Sequence, residues 1–226
     1  MKIAGMQKTS FVDYPGKLAC VVFTPHCNMK CPYCHNKHIL SGNIPLIDEE
    51  EVFAYLKKRQ DVLGAVVVTG GEPTLQKDLT GFIKAVKELG YPVKLDTNGT
   101  NPAVIKSLLN NNFLDYVAMD VKAPLHKYYE AAGCPVNVNA IAESIRLLKA
   151  SDILHEFRTT FAPCLNEDDI LAIGDLIKGC KNYYLQQYRQ IPGEPEAHDG
   201  EYVLKTAEKM RDKIGVCQTR GLGTNL

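Results

Sequence analysis

Short apolar runs rich in β-branched residues recur along the chain, each followed by a polar cluster and then by a stretch with helical spacing. The runs are Leu18–Thr24, Gly64–Thr69, Pro92–Leu95, Tyr116–Met119, about Ile153–Thr160 and Tyr183–Gln190. Between them the pattern predicts helices from Asp48 to Arg59, over 77–89, from Asn101-Pro102, over 138–150, after Asn166, and over 201–213. Asp48 with Glu51 reads as a capping box, Gly90 as a C′ glycine, and Asn101 and Asn166 as N-caps. Residues 191–200 read as a Pro/Gly-rich loop, and Pro15-Gly16 as a turn. Six strand–helix alternations imply a parallel sheet with helices outside, an α/β incomplete (β/α)6 barrel. Right-handed crossovers then bring every strand's C-terminal end to one face. With 226 residues and no repeat or linker, one domain over 1–226 is expected, its core about 17–190 and its last helix about 201–213.

The first run leads directly into Cys27-Asn28-Met29-Lys30-Cys31-Pro32-Tyr33-Cys34, a C-x3-C-x2-C loop. A structural zinc site takes four protein ligands, and an electron-transfer cubane normally takes four cysteines. Three thiolates leave one metal with an open position. Zinc stays open as an alternative if His26, His35 or Cys20 adds a ligand, as does a disulfide pair with a spare thiol.

The other strand ends are also polar. Gly70-Gly71-Glu72 follows the second, Asp96-Thr97-Asn98 the third, Asp120 and Lys122 the fourth, and Arg158 lies near the end of the fifth. Singly, each has a plain explanation: a turn, a capped turn, a surface ion pair. Jointly they sit on the rim where parallel barrels build their sites. Glu72 offers a carboxylate to an ammonium group, and Gly70 and Gly71 allow close backbone approach. Asp96, Asn98 and Asp120 can meet hydroxyls, Lys122 and Arg158 a carboxylate, and Tyr33 a planar base. S-adenosylmethionine carries all of these groups.

Charge removes other classes. Lys and Arg total 26, Asp and Glu 26, so no basic excess points to nucleic acid. No apolar run is long enough to span a bilayer, and the N-terminus lacks a signal-peptide core. Eight cysteines, three clustered and five scattered, read as metal chemistry and buried thiols in a reducing cytoplasm.

At these residues the chain resembles the radical S-adenosylmethionine (SAM) enzymes. Cys27, Cys31, Tyr33 and Cys34 match the family's C-x3-C-x-aromatic-C signature, and Gly70-Gly71-Glu72 its Gly-Gly-Glu motif. Together with Ser10–Lys17, Cys34-His35-Asn36, Glu72-Pro73, Asp96–Gly99 and Asp120-Val121-Lys122, the pattern is similar to glycyl-radical-enzyme activating proteins. Within that group it is most like those that activate anaerobic ribonucleoside-triphosphate reductase. The resemblance implies a [4Fe-4S] cluster on Cys27, Cys31 and Cys34 that reduces SAM to methionine and a 5′-deoxyadenosyl radical. That radical would take a hydrogen atom from a glycine Cα of a partner, so no acid or base residue is required. It also implies an electron donor such as flavodoxin or ferredoxin. Tyr33 and His35 would flank the adenine and Glu72 would hold the amino group. Asp96, Asn98, Asp120 and Lys122 would line the ribose and carboxylate region, with a monovalent cation at the two aspartates. Arg158 is a further carboxylate candidate, and Asp13 would face the incoming glycine loop. No second ferredoxin-type cluster is present, and only His198 and Gln187 stand as candidates for a C-terminal cofactor contact. Competing expectations are a radical SAM enzyme acting on a small molecule, as deazapurine-forming relatives do, and a non-catalytic zinc or iron–sulfur module.

Overall fold

A computed structural model describes residues 1–40, 44–190, 193, 195–214 and 216–222. Its strands are β1 (Gly5–Tyr14), β2 (Lys17–Thr24), β3 (Ala65–Gly70), β4 (Val93–Thr97), β5 (Tyr116–Asp120), β6 (Leu154–Phe161), β7 (Tyr183–Gln187) and β8 (Cys217–Arg220). Its helices are α1 (Lys37–Leu40), α2 (Glu49–Lys58), α3 (Leu79–Glu88), α4 (Pro102–Asn110), α5 (Tyr128–Ala132), α6 (Val138–Ala150), α7 (Glu167–Leu176) and α8 (Gly200–Ile214). All eight strands join one sheet in sequence order; β1 is antiparallel to β2, and β2 through β8 run parallel.

The six expected parallel strands are present, and the sheet adds one at each edge. Both additions lack an apolar run. β1 is mostly exposed, and β8 is four residues with only Cys217 buried. Edge strands face water on one side and need no continuous apolar sequence. Of the loop expected over 191–200, residues 191, 192 and 194 lie outside the described residues.

Two apolar layers flank the sheet. Cys20, Val22, Val66 and Val68 point to the larger one, with Val52, Phe82 and Ile83 from the helices. Phe82, Ile83 and Val86 are at most 1% exposed, and each such burial stabilises the helix–sheet contact by about 1.5–3 kcal/mol. The alternate residues Ala19, Val21, Ala65 and Val67 join Tyr14 and Tyr116 in a small inner cluster. Ala19, Ala65 and Tyr116 lie at strand starts, so this cluster plugs the N-terminal half of the concave side. The C-terminal half is left to polar residues.

Capping follows local chemistry in part. Asn166 and Asp169 form the reciprocal box that starts α7. The box expected at Asp48 and Glu51 is not formed, because the Asp48 side chain makes no cap bond. Asn101 makes no cap either; its amide donates instead to Thr74 Oγ1 at 2.9 Å. Gly90 stands just past α3 with φ +86°, as a C′ glycine should. Among the described residues no helix is long and apolar enough to cross a membrane.

Candidate active site

The loops after β2 to β5 meet over the concave side around a cavity of about 420 Å³. Cys27, Cys31 and Cys34 line it, with Tyr33 and His35 from the same loop. Gly70 and Gly71 enter from β3, Asp96 and Asn98 from β4, Asp120 and Lys122 from β5, Arg158 from β6 and Asp13 from β1. Glu72 is the candidate that does not line it.

The Gly-Gly pair has a steric cause. Gly70 has φ +117°, and a Cβ there would lie 2.4 Å from Thr24 N. On Gly71 a Cβ would lie 1.8 Å from His26 O. Gly71 N donates to Thr24 O and Glu72 N to His26 O, both at 2.8 Å. The close approach therefore serves the cysteine loop itself, whereas the sequence reading assigned it to a ligand.

Glu72 is fully buried and hydrogen-bonded at both carboxylate oxygens. Its carboxylate accepts from Thr74 N (3.1 Å), Thr74 Oγ1, Thr97 Oγ1 (2.8 Å) and Asn98 N (2.7 Å). Burial raises its pKa, and these bonds oppose the rise. It ties the β3 loop to the β4 loop and does not line the cavity. Asn98 extends the tie: its amide donates to Asn28 Oδ1 at 2.9 Å and lies 3.7 Å from Cys27 Sγ. On the other side Lys30 N donates to Ala132 O at 2.8 Å. Gly133 there has φ +66°, and a Cβ on it would meet Lys30 O at 2.3 Å. Cys134, one of the scattered thiols, donates to Asn28 O at 3.4 Å. Three neighbours thus pin the cysteine loop.

Across the cavity runs a chain of ion pairs. Lys94 meets Asp96 at 2.7 Å, Arg158 meets Asp96 at 3.1 Å and Asp120 at 2.8 Å, and Lys122 meets Asp120 at 2.9 Å. Burial, the largest single influence, would raise the two carboxylate pKa values, but the neighbouring cations together outweigh it: Arg158 at both, with Lys94 at Asp96 and Lys122 at Asp120. Both carboxyls sit below the ordinary range. Burial would lower Lys122 and Arg158, and the carboxylates raise them instead. Asp96, Asp120, Lys122 and Arg158 are therefore charged at neutral pH. A monovalent cation at the aspartates would have to share them with Arg158. Lys94 and Glu156 were not among the sequence candidates; stepping back two residues along β4 and β6 from Asp96 and Arg158 finds both, as strand alternation requires. Thr160 and Gln186 also line the cavity.

Several candidates lie elsewhere. Cys20 is buried in the helix-side layer. His198 bonds Leu165 O at 2.8 Å and packs on Phe161 and Tyr202. Gln187 donates to His198 O at 2.8 Å and lines a second cavity.

The thiols fit an iron–sulfur cluster. Burial pushes Cys27 up to about 11 and raises Cys31, while Lys122 pulls both down. Binding iron would therefore displace protons. Met29 N donates to Cys27 Sγ at 3.4 Å. Among the described residues no three His, Cys, Asp or Glu side chains converge as a single ion would require. In a cubane each thiolate meets a different iron, so such convergence is not needed. Tyr33 is 8% exposed, with its hydroxyl buried and unpartnered beside the cavity.

Fold and site together define an open, mixed-sheet half-barrel whose rim gathers three cysteines against a polar cavity. The chain belongs to the radical SAM superfamily, whose family profile matches residues 21–177; the family uses a [4Fe-4S] cluster and SAM. A Methanocaldococcus jannaschii protein, provisionally named a glycyl-radical enzyme activating enzyme, is 41% identical over 209 residues, 88% of this chain and 83% of that one. The 7-carboxy-7-deazaguanine synthase of Thermoplasma acidophilum is 33% identical over 145 residues, 62% of this chain and 61% of that one. Streptococcus suis SuiB bound to SAM has the same fold, with TM-score 0.70 and 14% identity over 89% of this chain and 52% of that chain.

Proposed function

We propose that this radical SAM enzyme generates a glycyl radical on a partner enzyme, an anaerobic ribonucleotide reductase. The likeness to the jannaschii protein carries the reading, because it extends over most of both chains. In it, Cys27, Cys31 and Cys34 hold the cluster. Lys122 and Arg158 hold the SAM carboxylate, ordered by Asp96 and Asp120. The backbone of Gly70 and Gly71 takes the amino group in place of Glu72, and Tyr33 and His35 flank the adenine. Asn98 fixes the cysteine loop beside the ligand. Asp13, on the β1 hairpin at the cavity's edge, meets the partner's glycine loop. When bound, cluster and SAM supply a one-electron cleavage and a hydrogen-atom acceptor, so no side chain here acts as acid or base. Flavodoxin or ferredoxin supplies the electron, in a reducing cytoplasm that suits three cluster thiolates and five free thiols.

The test is anaerobic reconstitution with iron and sulfide, reduction, addition of SAM and the candidate reductase, and EPR. A glycyl radical doublet is expected. The 33% identity to a deazaguanine synthase favours a second reading, a small-molecule substrate. 5′-Deoxyadenosine formed without a glycyl signal on the reductase would select that reading and reject the first. Zinc as the bound metal, with no SAM cleavage, would reject both.

A further inference from the structure

A second cavity, of about 780 Å³, adjoins the first and shares Asp13, His35, Arg158, Thr160 and Gln186 with it. It lies between the β1 hairpin and the β7–β8 edge, where the sheet does not close. Its lining holds four cations, Lys94, Arg158, Arg189 and Arg220, against two carboxylates, Asp13 and Glu156.

Of the two carboxylates, Glu156 is fully engaged and Asp13 holds one hydrogen bond. Glu156 is 1% exposed and takes Arg220 through two bonds, at 2.9 and 3.0 Å, and the Tyr116 hydroxyl at 2.9 Å. Asp13 accepts from Ser10 Oγ. The cations are committed too, with one exception. Lys94 meets Asp96, Arg158 meets Asp96 and Asp120, and Arg220 meets Glu156 with its guanidinium 3.3 Å from the Tyr184 ring centroid. Arg189 alone among these four has no carboxylate or hydrogen-bond partner among the described residues. Gln186 and Gln187 share the lining, and the Gln187 amide donates to His198 O. The cavity thus offers an exposed planar five-donor group without a partner among the described residues, on a lining where Glu156 is ion-paired and Asp13 holds a single hydrogen bond from Ser10. Such a group matches an oxyanion through paired N–H bonds.

We propose that the second cavity is a substrate subsite for an oxyanion, a carboxylate or a phosphate, gripped by Arg189. The subsite rests on reading the first cavity as the cofactor's, and it names the chemistry that the substrate brings alongside.

The test uses reconstituted holoenzyme with saturating SAM, so that the first cavity is filled. Succinate or inorganic phosphate is titrated at constant ionic strength, and the thermal midpoint is followed with cluster absorbance as a check. A saturable rise is expected. Its half-saturating concentration should increase about tenfold in Arg189→Gln, increase less in Arg189→Lys, and stay unchanged in Lys205→Gln, an exposed lysine on α8. No saturable rise, or equal values in wild type and Arg189→Gln, overturns the subsite. Two arms separate the anion's source. A raised KM for the partner reductase in Arg189→Gln marks an acidic side chain of that polypeptide. A shift confined to the small probes marks a small-molecule acid. The titration needs no partner, so failure of glycyl radical formation does not decide it.

Discussion

Gly71→Ala separates the two roles that a Gly-Gly turn can have at this rim. The new Cβ would stand 1.8 Å from His26 O, a backbone atom that no rotamer change can move. Reaching an ordinary contact of 3.4 Å requires a displacement of about 1.5 Å in a close-packed loop. That shift breaks the 2.8 Å bond from Glu72 N to His26 O and carries Cys27, the next residue, out of place. Overpacking of this kind costs about 1–3 kcal/mol, and the lost bond about 1 kcal/mol more. Gly90→Ala is the matched control. Gly90 has φ +86° with nothing within 4 Å of its Cβ position, so it costs about 1 kcal/mol of backbone strain alone. Iron and sulfide per chain after reconstitution, the cluster's visible absorbance, and urea unfolding of the metal-free protein read the difference. Gly71→Ala should lose about 2–4 kcal/mol and most of its cluster, and Gly90→Ala should load fully. Full loading in Gly71→Ala, with only SAM affinity reduced, would refute the steric account and leave the glycine with ligand contact alone.

Cys31→Ala should abolish cluster loading, whereas Cys180→Ala, at a buried thiol away from the cavity, should keep it; equal iron loss in both would remove the ligand assignment. Arg158→Met leaves Asp96 and Asp120 short of their shared counter-charge and should cost about 3–5 kcal/mol by chemical denaturation at pH 7. In wild type both folded pKa values lie below the ordinary 3.8, so their contribution is complete above that pH and is lost as pH falls through the folded values. Removing Arg158 should therefore move the acid limb of the stability profile upward; an unmoved limb would contradict the ion-pair chain.

What could be read from the residues alone follows from where the information lies. β3 was legible because Ala65–Val68 are buried on both faces and must be apolar. β1 was not, since its exposed edge leaves Phe11 and Val12 more than 80% in solvent without a core pattern. The rim residues were found because each follows a strand, and parallel strands end on one face. The tie that Glu72 makes was not legible for a physical reason: its donors Thr97 and Asn98 are about 25 residues away and become neighbours only through β3–β4 pairing. The empty space around Arg189 had no sequence signal, because a free guanidinium is recognised only by the absence of partners in three dimensions.

The central claim, that this chain takes hydrogen from a partner's glycine, is tested most directly by isotope transfer. The candidate reductase is prepared with α-deuterated glycine and incubated with the reduced holoenzyme and SAM, and the 5′-deoxyadenosine is weighed by mass spectrometry. The account predicts product one mass unit heavier, in step with the glycyl radical counted by EPR. Unlabelled 5′-deoxyadenosine and a silent EPR spectrum would contradict it.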